Sequence, residues 1–215
     1  MKHFLLLLKS YLLPIILSSF LFSFPGLLYA SEQEAIFAGG CFWCLEHDLE
    51  GLKGVSSVES GYTGGDLPSP TYRNHQGHQE AVILHFDSAK ISYEKLLRNF
   101  WRNVDPFDEG GQFCDRGDSY RPVIFTIGES QKSDAMQSID LAAEELGKPT
   151  NSLKVQIAVA KKFWLAEDYH QNFAQRNGLK YNFYRFSCGR DSRLDELWSE
   201  QARTGSEWQK SNDKL

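Results

Sequence analysis

Residues 79–86 are apolar on both sides of an extended segment, Ala81 and Ile83 facing one way and Val82, Leu84 and Phe86 the other. A strand with no side to offer water belongs in the middle of a sheet covered on both faces, so this stretch predicts a layered fold. Glu80 sits near the start of that strand.

The flanking segments supply the layers. Residues 34–38 form a short apolar run that stops at Gly39-Gly40, as a buried strand does before a sharp turn. Phe42, Leu45, Leu49 and Leu52 then recur at three- and four-residue steps, predicting an amphipathic helix that starts at or just after Cys41 and ends by Gly54. Residues 55–62 alternate loosely and read as a strand, followed by a loop through Pro68, Pro70 and His75. Ser92 can cap a helix with the apolar stripe Tyr93, Leu96, Leu97, Phe100, Trp101 and Val104, which Pro106 ends. Such a stripe is far more often core than a cofactor site.

Residues 107–121 are rich in glycine and aspartate and aperiodic, the signature of a functional loop. Further strands are expected at 122–127 and 153–160, with helices at 130–146, closed by Gly147, and at 166–176. Residues 179–190 lack a clear period, Ser192 caps a last helix carrying Leu194, Leu197 and Trp198, and a polar tail at 204–215 is expected to fray. With no repeat, no strict βαβ rhythm and no phosphate-binding glycine motif, the class is α/β (α+β), a two-layer sandwich with a mixed sheet and flanking helices.

The 215 residues carry a net charge of −5 and no lysine- or arginine-rich run, which leaves no electrostatic footprint for nucleic acid. The first thirty residues differ in kind. Lys2 and Lys9 precede an uncharged segment, 10–30, dense in leucine, isoleucine and phenylalanine. Pro25-Gly26 and the ending Leu28-Tyr29-Ala30 suit an export signal cleaved before Ser31, leaving a domain at 31–203 in a periplasmic or other extracytoplasmic space. The alternative is an uncleaved membrane anchor, because the run approaches the roughly 20 residues that span a bilayer.

Export matters for Cys41, Cys44, Cys114 and Cys188, since thiols outside the cytoplasm tend to pair. Two structural disulfides with three possible connectivities are one reading. Cys41-Phe42-Trp43-Cys44 is also a CxxC, which points to thiol–disulfide exchange or to half of a zinc site. Zinc is the weaker case. His75 and His78 would have to complete the set, and the other cysteines are isolated. At a helix N-terminus, free backbone N–H groups would shift Cys41 toward the reactive thiolate.

Four motifs together resemble the peptide methionine sulfoxide reductase A family. They are Gly-Cys-Phe-Trp at 40–43, Gly-His-Gln-Glu-Ala-Val at 77–82, Gln-Phe-Cys-Asp-Arg-Gly at 112–117 with Ser-Tyr-Arg at 119–121, and Ala-Glu-Asp-Tyr-His-Gln at 166–171. The resemblance covers about residues 35–198 and implies a ferredoxin-like core. It implies reduction of methionine S-sulfoxide, free or in proteins, with Cys41 as nucleophile and Glu80 as the acid that protonates the sulfoxide oxygen. A carboxyl in that role needs a pKa raised by burial. Tyr72 and Tyr120 match the tyrosines that hydrogen-bond this oxygen, Phe42 and Trp43 the pocket for the substrate methyl, and Asp115 an aspartate that positions substrate. Attack leaves a sulfenic acid on Cys41 that a second thiol must resolve. Cys188 is the first candidate, Cys44 the second and Cys114 the third. The resulting disulfide needs a thioredoxin-like reductant; no metal, nucleotide or flavin is implied.

Between Tyr72 and Gly77 the chain has only Arg73-Asn74-His75-Gln76, shorter than the usual family loop, which predicts that Tyr72 moves off the oxygen and leaves the contact to Tyr120. Two rivals come from other classes. One is a thioredoxin-like oxidoreductase using Cys41 and Cys44 on protein disulfides; the other is an exported binding module stapled by two disulfides.

Overall fold

The computed structural model describes residues 32–210, so the expected export segment, its cleavage point and the end of the tail lie outside the described residues. The elements run β1 (Glu32–Ala38), α1 (Phe42–Glu50), β2 (Val55–Thr63), β3 (Gln79–Asp87), α2 (Tyr93–Trp101), β4 (Gly111–Gln112) and β5 (Asp115–Arg116). They continue with β6 (Val123–Thr126), α3 (Gly128–Leu146), β7 (Gln156–Val159), β8 (Trp164–Leu165), α4 (Phe173–Arg176), α5 (Gly178–Ser187) and α6 (Arg190–Trp198).

The main sheet is six-stranded, ordered β7-β6-β1-β3-β2-β8, and β4 pairs with β5 in a separate hairpin. β3 lies antiparallel between β1 and β2, as its two apolar faces require. β6 is antiparallel to β1, and β7 is parallel to β6, so the sheet is mixed. Within it β1-α1-β2-β3-α2-β6, in the spatial order β6-β1-β3-β2, is the ferredoxin-like core.

Strand alternation divides the packing. Ala35, Phe37, Val82, Leu84, Phe86 and Ile124 face α1 and α2, whose Leu45, Leu49, Leu96, Leu97, Phe100 and Trp101 complete the main core. Ile36, Ala38, Ala81, Ile83, Val123 and Phe125 face the other way and pack with Ala158 of the neighbouring strand β7 and with Ala160 and Phe163 beyond it. Helices on one face of the sheet give the two layers. Each large side chain fully buried in this way contributes roughly 1.5–3 kcal/mol.

Helix ends follow local chemistry where the sequence supplies it. Ser92 Oγ accepts from Lys95 N at 3.3 Å, and Gly147 closes α3 in the left-handed region at φ 62. Other boundaries differ from expectation. α2 stops at Trp101, before Pro106, and the strand expected at 153–160 shrinks to β7, Lys154 N donating instead to the Pro106 carbonyl at 2.6 Å. The helix expected at 166–176 is only the single turn α4. Gln171 is spent on Ser60, accepting from its N–H at 3.0 Å and donating to its carbonyl at 2.9 Å, and Asn172 adopts φ 52, so the preceding residues are pinned to β2.

The aperiodic stretch at 179–190 contains α5. Its apolar Leu179, Phe183 and Phe186 are 92 %, 74 % and 85 % exposed while Tyr181 and Arg185 are buried, which inverts the pattern that marks a helix. α6 begins at Arg190, after Gly189 at φ 65, so Ser192 lies inside the helix and is not its cap. The tail expected to fray is held over its described part. Arg98 Nη2 donates to Glu207 Oε1 at 2.8 Å, Arg102 Nη1 to the Ser206 carbonyl at 2.7 Å, and Gln209 N to Glu145 Oε2 at 3.0 Å.

The turn between β1 and α1 needs its glycines. A Cβ on Gly40, at φ 83, would lie 2.7 Å from Gln112 Cβ, and one on Gly39 would lie 2.7 Å from Val104 Cγ1. Gly51, after α1, has φ −80 and open space around it. Gly40→Ala should therefore lower unfolding stability by on the order of 2 kcal/mol in denaturant titration. Gly51→Ala should be neutral or stabilise by up to about 1 kcal/mol. Equal effects of the two would contradict the close approach at Gly40.

Candidate active site

The strand-turn-helix junction fixes the position of Cys41. It precedes α1 with φ −56 and ψ 121, and its side chain does not cap the helix. Cys41 is 5 % exposed and Cys44, in the first turn, 2 %. A cleft of about 60 Å³ is lined by Cys41, Phe42 and Trp43, by Glu80 from β3, by Tyr72 from the loop before it, by Asp115 and Tyr120 from the 107–121 loop, and by Tyr184 from α5. The aperiodic loop thus earns its functional reading, since it brings two polar groups to the thiol.

Glu80 is 2 % exposed, and Phe42 N donates to its Oε2 at 3.2 Å. Burial pushes its carboxyl up to about 8, outweighing that hydrogen bond and the one from Tyr120, both of which work the other way. The group is an acid with its proton in place at neutral pH. Burial also raises Tyr120 and Tyr72, in each case with the charge of Glu80 as the next cause, so both hydroxyls keep their protons and can donate.

The thiol is not the free thiolate that its place at a helix N-terminus predicts. Burial raises Cys41 well above the ordinary range, helped by Cys44 and by the charge of Glu80. The N–H groups that would have stabilised an anion are already engaged: that of Cys41 by Asp115 and that of Phe42 by Glu80. Cys44 is lowered, first by the hydrogen bond from the Cys41 thiol and further by Arg190 and Arg185. The two thiols are therefore neighbours joined by a hydrogen bond.

Trp43 is locked from two sides. Its ring stacks on Phe173 at 3.7 Å between centroids, and its Nε1 donates to His170 Nδ1 at 3.0 Å. Glu167 Oε1 accepts from Tyr72 N at 3.0 Å and its Oε2 from Tyr62 OH at 3.0 Å. The short loop after Tyr72 closes on itself, Thr71 and Asn74 exchanging backbone hydrogen bonds of 3.0 and 2.9 Å. Tyr72 therefore stays on the cleft rim, 40 % exposed, and the predicted displacement does not occur.

The other cysteines differ in their pairing. Cys188 is bonded to Cys114, with Cα atoms 4.9 Å apart, and the free thiol beside Cys41 is that of Cys44. The residues weighed for zinc do not converge: His78 Nε2 binds the Leu67 carbonyl at 2.9 Å while its Nδ1 accepts from Gly65 N at 3.3 Å. Sequence reasoning missed Tyr184, whose hydroxyl donates to Asp115 Oδ2 at 2.6 Å and also interacts with the Cys41 thiol. Its signal was masked by the inverted pattern of α5. His170 and Glu167 lie in a motif that was recognised, yet their roles as supports for Trp43 and Tyr72 appear only in three dimensions.

Comparison with known proteins identifies the family. The family model described as peptide methionine sulfoxide reductase matches residues 33–202. A peptide methionine sulfoxide reductase MsrA 2 of Caulobacter vibrioides is 51 % identical over 178 residues, 81 % of this chain and 89 % of the relative. A protein of the same name in Rhizobium meliloti is 44 % identical, over 82 % of this chain and 88 % of its own. The solved methionine sulfoxide reductase A of Corynebacterium diphtheriae superposes with a TM-score of 0.63 at 26 % identity, covering 69 % of this chain and 76 % of that one. The chain belongs to the peptide methionine sulfoxide reductase A family.

Proposed function

We propose that the protein reduces the S epimer of methionine sulfoxide, free or in proteins, in an extracytoplasmic space, with Cys41 as nucleophile and Glu80 as acid. The observation that carries this reading is the buried, protonated Glu80 in one small cleft with the Cys41 thiol. A sulfoxide oxygen is a poor leaving group until protonated, so a thiol and an acid must converge on one S–O bond.

Phe42 and the locked ring of Trp43 receive the methyl group, where sulfur and ring edges interact favourably. The oxygen faces Glu80, Tyr120 and Tyr72, whose hydroxyls strengthen their bonds as charge builds on it. Cys41 gives its electron pair to the sulfoxide sulfur, and its thiol proton replaces the one that Glu80 donates to the oxygen. Glu80 protonates the oxygen, which passes from the substrate sulfur to Cys41 Sγ as the S–O bond and the transient bond between the two sulfurs break; methionine leaves with its sulfur lone pair restored and Cys41 becomes a sulfenic acid. Asp115, held by Tyr184 and the Cys41 N–H, orders this side of the cleft.

Cys44 takes the resolving role ahead of Cys188, because it is already hydrogen-bonded to Cys41 whereas Cys188 is bonded to Cys114. Its attack on Cys41 Sγ expels water and leaves the Cys41–Cys44 disulfide. A thioredoxin-like dithiol outside the cytoplasm must return the electrons. Export is supported by the Lys2, Lys9 and 10–30 pattern and by the Cys114–Cys188 bond, which suits an oxidising compartment.

With a peptide methionine S-sulfoxide and dithiothreitol, Cys41→Ser should abolish turnover, and Glu80→Gln should lower kcat by about 10²–10⁴ with little change in KM. Full activity in Cys41→Ser would remove the mechanism. Wild-type kcat should fall as pH rises through about 8, where Glu80 loses the proton it must donate, and that limb should be missing from the Glu80→Gln profile. Cys44→Ser should still release methionine in a single turnover but leave a sulfenic acid that dimedone labels on Cys41. Equal labelling of wild type and variant would assign resolution elsewhere.

A further inference from the structure

α5 turns its most apolar residues to water. Leu179, Phe183 and Phe186 follow one another at four- and three-residue steps on one face of the helix, and they are the three most exposed large apolar side chains among the described residues. Tyr181 and Arg185, on the opposite face, are buried. A helix normally presents such a stripe to a core, and a soluble chain rarely leaves a contiguous apolar face bare unless something binds there.

This face continues the wall of the cleft. Tyr184 of α5 lines the cleft, and its ring meets that of Trp43 edge-on with centroids 6.1 Å apart. Lys180, one turn earlier, holds its ammonium 5.6 Å from the centre of the Phe173 ring, which stacks on Trp43. Leu179 and Phe183 directly precede Lys180 and Tyr184, about 100° away around the helix axis. The apolar face therefore begins where the cleft wall ends.

The cleft, at about 60 Å³, accepts the end of one side chain, so a polypeptide that carries the sulfoxide stays outside and lies across the rim. Methionine is among the residue types most often buried, in the company of other apolar side chains. Oxidation makes it polar and disrupts such cores, so a segment that offers methionine sulfoxide brings exposed apolar neighbours with it. We propose that the face of α5 formed by Leu179, Phe183 and Phe186 docks the apolar residues that flank methionine sulfoxide in an unfolded polypeptide. The inference rests on the sulfoxide reductase reading and gives that cleft its selectivity among polypeptides. The face takes no part in bond making; it holds the substrate, so its contribution is read in KM and only on substrates long enough to reach it.

Two capped peptides of equal length test this with dithiothreitol as reductant, one carrying methionine S-sulfoxide between leucine and phenylalanine, the other between serine and glutamine. Wild type should favour the apolar peptide by roughly tenfold in kcat/KM, through KM, as burial of a single large apolar side chain allows. The preference should shrink in Phe183→Ser and fall to within about twofold in Leu179→Ser/Phe183→Ser/Phe186→Ser. Turnover of N-acetylmethionine S-sulfoxide, too small to reach the stripe, should stay within about twofold of wild type in both variants. Equal kcat/KM for the two peptides in wild type would overturn the proposal whether or not the variants fold. An undiminished preference in the triple variant would also overturn it: loss there of thioredoxin-driven turnover alone would give the face to the reductant, and a wild-type dimer that the variant abolishes would give it to a second copy. Loss of N-acetylmethionine S-sulfoxide turnover in Phe183→Ser would make the face a support of the cleft, against the proposal. Failure of wild type to reduce N-acetylmethionine S-sulfoxide would instead defeat the sulfoxide reading itself, and the docking role with it.

Discussion

Glu80 is a carboxylic acid on the central strand of the sheet, and the chemistry of the cleft depends on its being there. β3 is covered on both faces, so a side chain near its start is withdrawn from water and its neutral form is favoured. The same burial raises Tyr120, Tyr72 and Cys41, each of them facing the charge that Glu80 would carry if ionised. Burial of each group thereby keeps a set of proton donors around a thiol. Its linkage to folding has a definite sign: the folded value lies above the ordinary 4.5, so its favourable contribution is complete below about pH 4.5 and is lost as pH rises through about 8.

The ferredoxin-like core places this acid against the nucleophile by strand order alone. β1 is the neighbour of β3, and the chain leaves β1 through Gly39-Gly40 directly into α1, which sets Phe42 N 3.2 Å from Glu80 Oε2. Less regular segments finish the site. Residues 166–172 are fastened to β2 and to the Tyr72 loop by side-chain hydrogen bonds, and from there His170 and Phe173 fix the Trp43 ring. The rigid part of the fold supplies the acid and thiol, and the irregular part supplies the walls.

Much of this was legible in the sequence. The two-faced apolar strand announced β3, the apolar stripe and Ser92 announced α2, four motifs picked out Cys41, Phe42, Trp43, Glu80, Asp115 and Tyr120, and the family resemblance they carry added Tyr72. Failures have physical causes. α5 escaped notice because its apolar residues face outward, and with it went Tyr184. The helix expected at 166–176 was shortened by hydrogen bonds from Gln171 to Ser60, partners far apart in sequence. The expected thiolate failed because burial raises the Cys41 thiol, while the N–H groups of Cys41 and Phe42 are taken by Asp115 and Glu80, a competition no local pattern reveals. The connectivity that the sequence left open, Cys114 with Cys188, spans 74 residues and is set by the fold.

The central claim is that Glu80 holds its proton at neutral pH inside the cleft. Infrared difference spectra of wild type against Glu80→Gln, taken across a pH series on the substrate-free protein, test it without passing through turnover. The account predicts a protonated-carboxyl C=O band assignable to Glu80 at pH 6 that gives way to carboxylate bands as pH rises through about 8. A Glu80 already ionised at pH 6 would contradict it, because no acid would then stand beside Cys41 to make the sulfoxide oxygen a leaving group.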